Sequence, residues 1–385
     1  RDLHRVDRRQ RQMCIRDRPS PVQTLVVKVG TSTLTAGTPH LNRRRMLEIA
    51  QQIVRVREQG VRVALVSSGA MAAGRERIGL NGAGKVSLPE KQMLAAVGQS
   101  HLMALWEQVF GMFDVRVAQV LLTRADLSDR RRYLNARDTL LTILAHDIVP
   151  IVNENDAVTT EEIRVGDNDN LSALVANVLS ADLLLILSDI EGLFTADPRK
   201  DKRAQLISEV TEIDDRVRAL AGGSRSGLGV GGMLTKIQAA ELATRSGCMT
   251  IVAHGGRPDI IVDAANLKPV GTRFLPAVNH IESRKRWILS ERTSGAFVAD
   301  DGAVRALRSG KSLLPVGVRQ VIGEFERGEF VAVHDLNGRE VARGITRYSA
   351  RDAARIAGRR SDQIEKVLGY SYAPLLIHAD DLVVL

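Results

Sequence analysis

"TLVVKVGTSTLTAGTPHLNRRRMLEIAQQIVRVREQGVRVALVSSG", residues 24–69, decides the fold. It begins with one short apolar run, TLVVKVG (24–30), and ends with another, VRVALVSSG (61–69). Both are valine-rich and too short for a helix, so they read as buried strands. Between them Asn42 stands where an N-cap is wanted, ahead of RRRMLEIAQQIVRVREQ, and Gly60 follows the last turn. A strand, a helix and a strand of this kind form one unit of an α/β protein.

The alternation continues outward. VRVAQVLL (115–122), IVPIVNEND (148–156), LLLILSD (183–189) and MTIVAHG (249–255) read as further buried strands. PEKQMLAAVGQSHLMALWEQVF (89–110), with proline near its first turn, YLNARDTLLTILAHD and GGMLTKIQAAELATRSG read as helices. Alternation over about 250 residues predicts a three-layer α/β/α sandwich around a mostly parallel sheet. Ligands of such sheets sit beyond the carboxyl ends of the strands.

The unusual residues cluster at those ends. Lys28-Val29-Gly30 ends the first strand, Ser67-Ser68-Gly69 the second, Asn153-Glu154-Asn155-Asp156 another, and Ser188-Asp189 the next. GLGVGGMLTK (227–236) is a glycine-rich loop entering a helix, which suits phosphate binding by backbone N–H groups. It is not a P-loop, because no GxxxxGK[ST] is present, and no kinase HRD or DFG signature occurs. GDNDN (166–170) precedes the apolar positions Leu171, Leu174, Val175, Val178 and Leu179, one face of a helix. One Asp or Asn suffices for an N-cap, and here there are four polar residues.

Two lysines, Lys28 and Lys236, with carboxylates at one crevice suit phosphoryl transfer, which is mostly positioning and charge neutralisation. Asp169 could fix the lysines or hold Mg²⁺ through water. Each residue also has an ordinary reading. A lysine at a strand end is usually a solvated charge, Asp169 alone would be a helix cap, Asp156 an Asx-turn residue, and Ser68-Gly69 a turn. Their joint placement at successive strand ends favours a nucleotide-using transferase.

Composition sets the outer bounds. The 385 residues are 44% hydrophobic and 26% charged, ordinary for a soluble protein. No apolar run approaches the roughly 18 residues of a membrane helix, and the basic N-terminus lacks the apolar stretch of a secretory signal. Two cysteines, Cys14 and Cys248, without metal-ligand spacing, fit a cytoplasmic protein with no disulfide framework and no protein-held metal. Of the net charge of +9, residues 1–18 carry seven arginines and three aspartates, a net +4, leaving +5 for the rest. Residues 1–20 are expected to be a disordered or artefactual extension.

The pattern changes near residue 276. Residues 21–275 are expected to form the sheet domain and 276–292 a linker. Residues 293–385 read as a small β-rich domain, with LNGRE as a hairpin turn.

Taken together, LVVKVGTSTLT, LVSSGAMAAGRE, LLTRADL…YLNARDTL, VPIVNENDAVTTEEIRVGDNDNLSALVA, LSDIEGLFTADPR and SGLGVGGMLTKIQAA resemble the glutamate 5-kinase family of the amino acid kinase superfamily. SLLPVGV and the segment around it resemble the PUA domain attached to many bacterial members. The likeness runs from about Gln23 to the C-terminus, with its motifs in family order. It implies the amino acid kinase fold with a PUA-like C-terminal domain. It implies ATP-dependent phosphorylation of the γ-carboxylate of L-glutamate to L-glutamyl 5-phosphate, the first step of proline biosynthesis, with ATP as co-substrate and Mg²⁺.

Residue by residue, the resemblance places Lys28 and Lys236 on the ATP phosphates and the moving phosphoryl group, with Asp169 organising them. Ser188 and Asp189 would lie at the nucleotide, and Val230, Gly231, Gly232, Met233, Leu234, Thr235 and Lys236 would wrap it. Ser68, Asp156, Asp167 and Asn168 would hold the glutamate. Val230 stands where the family often has threonine, so any hydroxyl contact there is lost. The resemblance further implies a homo-oligomer (dimer or tetramer), feedback inhibition by proline and hand-over of the acyl phosphate to glutamyl phosphate reductase.

Two rivals are distinguishable. Other superfamily members act on aspartate, N-acetylglutamate, carbamate or UMP. The paired NEND and GDNDN motifs and the PUA-like tail argue against these. RNA binding through the PUA-like domain is the second. Residues 276–385 hold 17 basic and 14 acidic residues, and Arg339, Arg343, Arg347, Arg351, Arg355 and Arg359 recur every fourth position. A solvated face with shared charge is the simpler reading, and stacking aromatics are few (Tyr348, Tyr370, Tyr372). Nucleic acid is therefore not the expected partner, nor is a membrane.

Overall fold

The computed structural model describes residues 22–80, 86–158, 167–222, 232–276 and 280–385. The expectation for residues 1–20 lies outside them. The chain forms two compact units, one of residues up to 128 with 135–280, the other of 129–134 with 281–385.

The first unit is built on an eight-stranded sheet. In chain order the strands are β1 (Thr24–Val29), β2 (Arg62–Ser67), β3 (Val117–Leu122), β4 (Val149–Glu154), β5 (Leu183–Ser188), β6 (Glu209–Val210), β7 (Met249–His254) and β8 (Thr272–Phe274). Their spatial order is β3-β4-β2-β1-β5-β7-β8-β6. All neighbours are parallel except β7 with β8. β1 and β5 are buried at every residue, as strands covered on both faces must be. The six longer strands fall within the runs predicted from sequence. β6 and β8, of two and three residues, were not predicted. β1 is central: the chain builds outward on one side through β2, β4 and β3, then returns to β1's other side with β5. The strand order reverses at β1, which is where ligands bind in such sheets.

Five helices matter for the site: α1 (Arg43–Glu58), α2 (Ala70–Ile78), α3 (Leu88–Gly111), α4 (Asp167–Leu179) and α5 (Met233–Arg245). Asn42 caps α1 as expected, accepting from the Arg45 N–H at 3.0 Å. α3 begins with a capping box, in which Ser87 N–H donates to Glu90 Oε2 at 2.7 Å. α2 and α3 cross in very close contact. A Cβ on Gly98 would lie 1.8 Å from the Ala70 carbonyl oxygen, and one on Gly74 would lie 2.0 Å from that of Leu94. Only glycine allows backbones this near. Trp106 of α3 is fully buried and donates Nε1–H to Ser67 Oγ at 3.0 Å, tying α3 to the carboxyl end of β2. Its ring fills a core shared by β1, β2, α1 and α3, burial of a kind that contributes about 2–3 kcal/mol per large side chain.

The second unit carries a five-stranded sheet of β9 (Gly295–Ala299), β10 (Val318–Gly323), β11 (Phe330–His334), β12 (Glu340–Ile345) and β13 (Leu382–Val384), in the order β10-β9-β11-β12-β13. β11 and β12 are antiparallel and joined through Asn337-Gly338, the predicted hairpin turn, where Gly338 has φ +81°. The six arginines at every fourth position do not share one face. Arg343 lies on β12 against Glu340, while Arg347 is buried on Asp381 at 2.8 Å. Arg351 and Arg355 lie on a separate helix, Ala350–Ile356. The solvated-face reading therefore fails at Arg347. Its ion pair is internal to the unit.

Candidate active site

The carboxyl ends of β1, β2 and β4 and the first turns of α4 and α5 bring Lys28, Ser68, Asn168, Asp169 and Lys236 together. Lys28 lies near the end of β1, buried by its neighbours on both sides. Asp169, in the first turn of α4, is fully buried, and Lys236, in the first turn of α5, nearly so. Lys28 Nζ is 2.5 Å from Asp169 Oδ1, and Lys236 Nζ is 3.4 Å from Asp169 Oδ2. Thr235 Oγ1 donates to the same Oδ2 at 2.7 Å. One carboxylate thus organises two ammonium groups.

The electrostatics follow from that count. Burial alone pushes the Asp169 carboxyl up, but Lys28 and Lys236 outweigh it and hold the group below the usual carboxylate range. Burial pulls the Lys236 ammonium below the usual lysine range. Asp169 opposes this, while the charge of Lys28 adds to it. Lys28, Lys236 and Asp169 by themselves carry one surplus positive charge in a buried setting, and Asp189 acts on Lys236 from beside it.

The other side of α4 faces a second polar group. Asn168 Nδ2 donates to Ser68 Oγ and to Asn153 Oδ1, both at 2.9 Å. Asn153 Nδ2 donates to Gln99 Oε1 at 2.7 Å, and Glu154 N–H donates to Asn153 Oδ1 at 2.9 Å. Ser68 is placed by the turn after β2, where Gly69 takes φ +104°. Asn168 Oδ1 and Gln99 Nε2 are buried without a hydrogen-bond partner among the described residues.

Asn168 and Asp169 are adjacent in sequence yet reach different groups, and Asn168 Oδ1 accepts no hydrogen bond among the described residues. Ser188 Oγ donates to Asp189 Oδ1 at 3.2 Å, and the charge of Asp189 is felt at Lys236, placing both at the lysine side. Gly232, Met233 and Leu234 lead from the loop into α5. Asp156 is half-buried in the turn after β4, and Asp167 opens α4. Val230 and Gly231 lie outside the described residues. Gln99 was not predicted, and Asn153 was noted at its strand end without a role. Thr235, expected at the nucleotide, also donates to Asp169.

The Amino acid kinase family model matches residues 23–254. The chain belongs to the amino acid kinase family. The PUA domain model matches residues 295–368. Among curated members, the protein of Photobacterium profundum named "Glutamate 5-kinase" is 55% identical over 367 residues, covering 95% of this chain and 97% of that protein. That of Vibrio campbellii, with the same name, is 54% identical over 368 residues, covering 95% and 97%. A solved structure, the UMP kinase of Bacillus anthracis, aligns with a TM-score of 0.47 at 17% identity, covering 67% of this chain and 98% of that one. Lys28, Asp169 and Lys236 all lie within the residues matched by the family model, and the second unit carries the PUA match.

Proposed function

We propose that this chain transfers the γ-phosphoryl group of ATP to the γ-carboxylate of L-glutamate, giving ADP and L-glutamyl 5-phosphate. One observation carries the reading: Asp169 holds two lysines on one side of α4 while its neighbour Asn168 lines a polar pocket on the other. A phosphoryl site and an acceptor site meet at one helix end. The name shared by relatives more than half identical over nearly the whole chain supports glutamate as the acceptor.

The acceptor carboxylate is ionised at neutral pH, because an unperturbed Glu side chain has a pKa of ~4.3. No base is needed to generate the nucleophile. Its oxygen forms a bond to the γ-phosphorus as the bond to the β–γ bridging oxygen breaks, and the electron pair leaves with ADP. Lys28 and Lys236 neutralise charge on the phosphoryl oxygens and the leaving group, and Asp169 keeps both aimed. Ser68 and Asn168, with Asp156 and Asp167, hold the amino acid. Ser188, Asp189 and residues 230–236 hold the nucleotide. Mg²⁺ would be held mainly by the nucleotide's phosphate oxygens and water, and would supply further charge neutralisation there. Asp169 is already engaged by two lysines and Thr235.

Trapping the acyl phosphate with hydroxylamine tests the reading. Hydroxamate should form only with both ATP and glutamate. ATP turnover that ignores glutamate but follows aspartate, N-acetylglutamate, carbamate or UMP would overturn it. In the same reading the enzyme works in the cytoplasm as a homo-oligomer and opens proline biosynthesis. Proline competes at the glutamate pocket, and the labile product passes to glutamyl phosphate reductase. The PUA-like domain regulates or assembles the enzyme and does no chemistry.

A further inference from the structure

Gln99 projects from the middle of α3 into the polar group beside Asn168, and the hydrogen bonds there have a fixed direction. An amide side chain can normally be turned end for end, exchanging donor and acceptor. A backbone N–H cannot. Glu154 N–H donates to the oxygen of Asn153, so that oxygen must be Oδ1 and the atom facing Gln99 must be the Nδ2 donor. Gln99 must then present Oε1 to Asn153, which leaves its Nε2 free. Asn168 must present Nδ2 to Asn153 Oδ1 and Ser68, which leaves its Oδ1 free. One backbone group therefore polarises three side-chain amides. The result is a buried donor at one end of the relay and a buried acceptor at the other, neither partnered among the described residues.

Leaving such groups unmade is costly, so a buried pair of this kind marks a place where a ligand completes the bonding. A donor and an acceptor at the two ends match the two charged groups at the head of an amino acid. The acceptor suits the ammonium and the donor suits the carboxylate. Gln99 is the end of the relay away from Asp169 and its lysines, so its carboxylate is the one that does not react. Helix packing keeps it there: Gly98 beside it lets α3 press on the Ala70 carbonyl of α2, immediately after the Ser68 turn.

We propose that Gln99 is a substrate-binding residue whose Nε2–H donates to the α-carboxylate of the amino acid, in a site whose polarity is set by the Glu154 backbone N–H. The inference rests on the function proposed above. It adds a contact from α3, a helix that supplies no other predicted site residue, and a reason the pocket prefers an α-amino acid over an ω-acid lacking the α-carboxylate.

The test compares wild-type enzyme with Gln99→Glu and Gln99→Met in the hydroxamate assay, using L-glutamate and 4-aminobutyrate, with thermal melts of each. Gln99→Glu keeps the oxygen that accepts from Asn153 and replaces the free donor with a second, repelling oxygen. The KM for glutamate should rise about 10- to 100-fold, the scale of one hydrogen bond to a charged group. The kcat and the KM for ATP should change by less than about threefold. Gln99→Met, without the donor, should raise the same KM by about tenfold. Any hydroxamate formed from 4-aminobutyrate at high concentration should be the same in both variants as in the wild type, since it lacks the group Gln99 binds. A glutamate KM unchanged in both variants would overturn the proposal. So would equal losses with the two substrates, or the failure of both variants to fold, because each assigns Gln99 to structure alone. Absence of glutamate-dependent hydroxamate in the wild type would instead strike the proposed function itself.

Discussion

Lys28 and Asp169 form a buried ion pair of 2.5 Å between the end of the central strand and the first turn of α4. Lys236 approaches the opposite oxygen of the same carboxylate. The cluster holds two positive charges and one negative charge, so removing Asp169 would leave two ammonium groups buried against each other.

Asp169→Asn should therefore fail in two measurable ways. The kcat should fall by ~10²-fold, the scale of losing one preorganised electrostatic element. The melting temperature should also fall, because breaking a buried pair costs about 3–5 kcal/mol. Added nucleotide should raise the variant's melting temperature more than the wild type's, since a triphosphate supplies the missing negative charge. A kcat within about threefold of wild type would return Asp169 to a purely structural role.

Asn168→Ala should behave differently although it is the adjacent residue. It removes a donor to Ser68 and Asn153 and a free acceptor, and touches neither lysine. The KM for glutamate should rise by about tenfold or more, with kcat and the KM for ATP nearly unchanged, as for a contact already made in the ground state. Equal effects of the two substitutions on kcat would show that α4 does not divide the site as described.

How much of this was legible in the sequence follows from how local each signal is. Lys28, Ser68, Asn168, Asp169 and Lys236 stand at junctions of apolar runs, where polar residues are conspicuous. Six strands were legible because each is a continuous buried run. β6 and β8 were not, because two or three residues carry no periodicity. Gln99 sits inside a long helix, and its role depends on a backbone N–H from β4 acting through Asn153, a relation no spacing rule encodes. Locally Gln99 is one of three consecutive polar residues, Gln99-Ser100-His101, and nothing in the sequence sets it apart from the other two. The arginines at every fourth position misled because they lie on a turn, a strand and a helix, and only a continuous helix turns such spacing into a face.

The alkaline limb of activity should report Lys236. Burial lowers its pKa, so its ammonium is lost below the usual lysine range as pH rises, and with it part of the charge that receives the triphosphate. The kcat/KM for ATP, which reads the free enzyme, should decline on the acid side of pH 10.5, the ordinary lysine value. Lys236→Arg, charged throughout this range, should abolish that decline whatever its residual rate. For stability the sign is the same for both groups. The lowered Asp169 pKa contributes stability above the usual carboxylate range, lost as pH falls through the folded value. The lowered Lys236 pKa imposes a penalty that is relieved as pH rises. A decline that persists unchanged in Lys236→Arg would remove Lys236 as its source.

Gly98→Ala tests the helix crossing. The new Cβ would lie 1.8 Å from the Ala70 carbonyl oxygen and 2.3 Å from the Gly74 nitrogen. Both are backbone atoms, so no rotamer relieves the clash and α3 must move off α2. Overpacking of this kind costs about 1–3 kcal/mol or more. Because Gln99 follows and Ser68 precedes the contact, the KM for glutamate should rise together with the fall in melting temperature. A normal melting temperature would mean that the helices do not cross this closely.

Removing the second unit tests whether it has any part in the chemistry. Every candidate site residue within the described chain lies in the first unit, so a chain ending near His280 should keep glutamate-dependent hydroxamate formation. The truncation has a physical cost. Leu134, on the segment grouped with the second unit, is buried in a cluster with Ile288, Phe330, Ile345 and Val383, and Tyr133 packs against it. Deletion would leave Leu134 and Tyr133 without that cover and should lower the melting temperature, since burying such side chains contributes about 1.5–3 kcal/mol each. Leu134→Ser in the truncated chain should then improve solubility without restoring stability. The informative comparison is kcat, measured below the new melting temperature, with the sensitivity to proline read in parallel. A kcat near that of the full chain with altered proline sensitivity would assign the PUA-like unit to regulation. A folded, soluble truncation with no turnover would require the second unit in the reaction and would end that assignment.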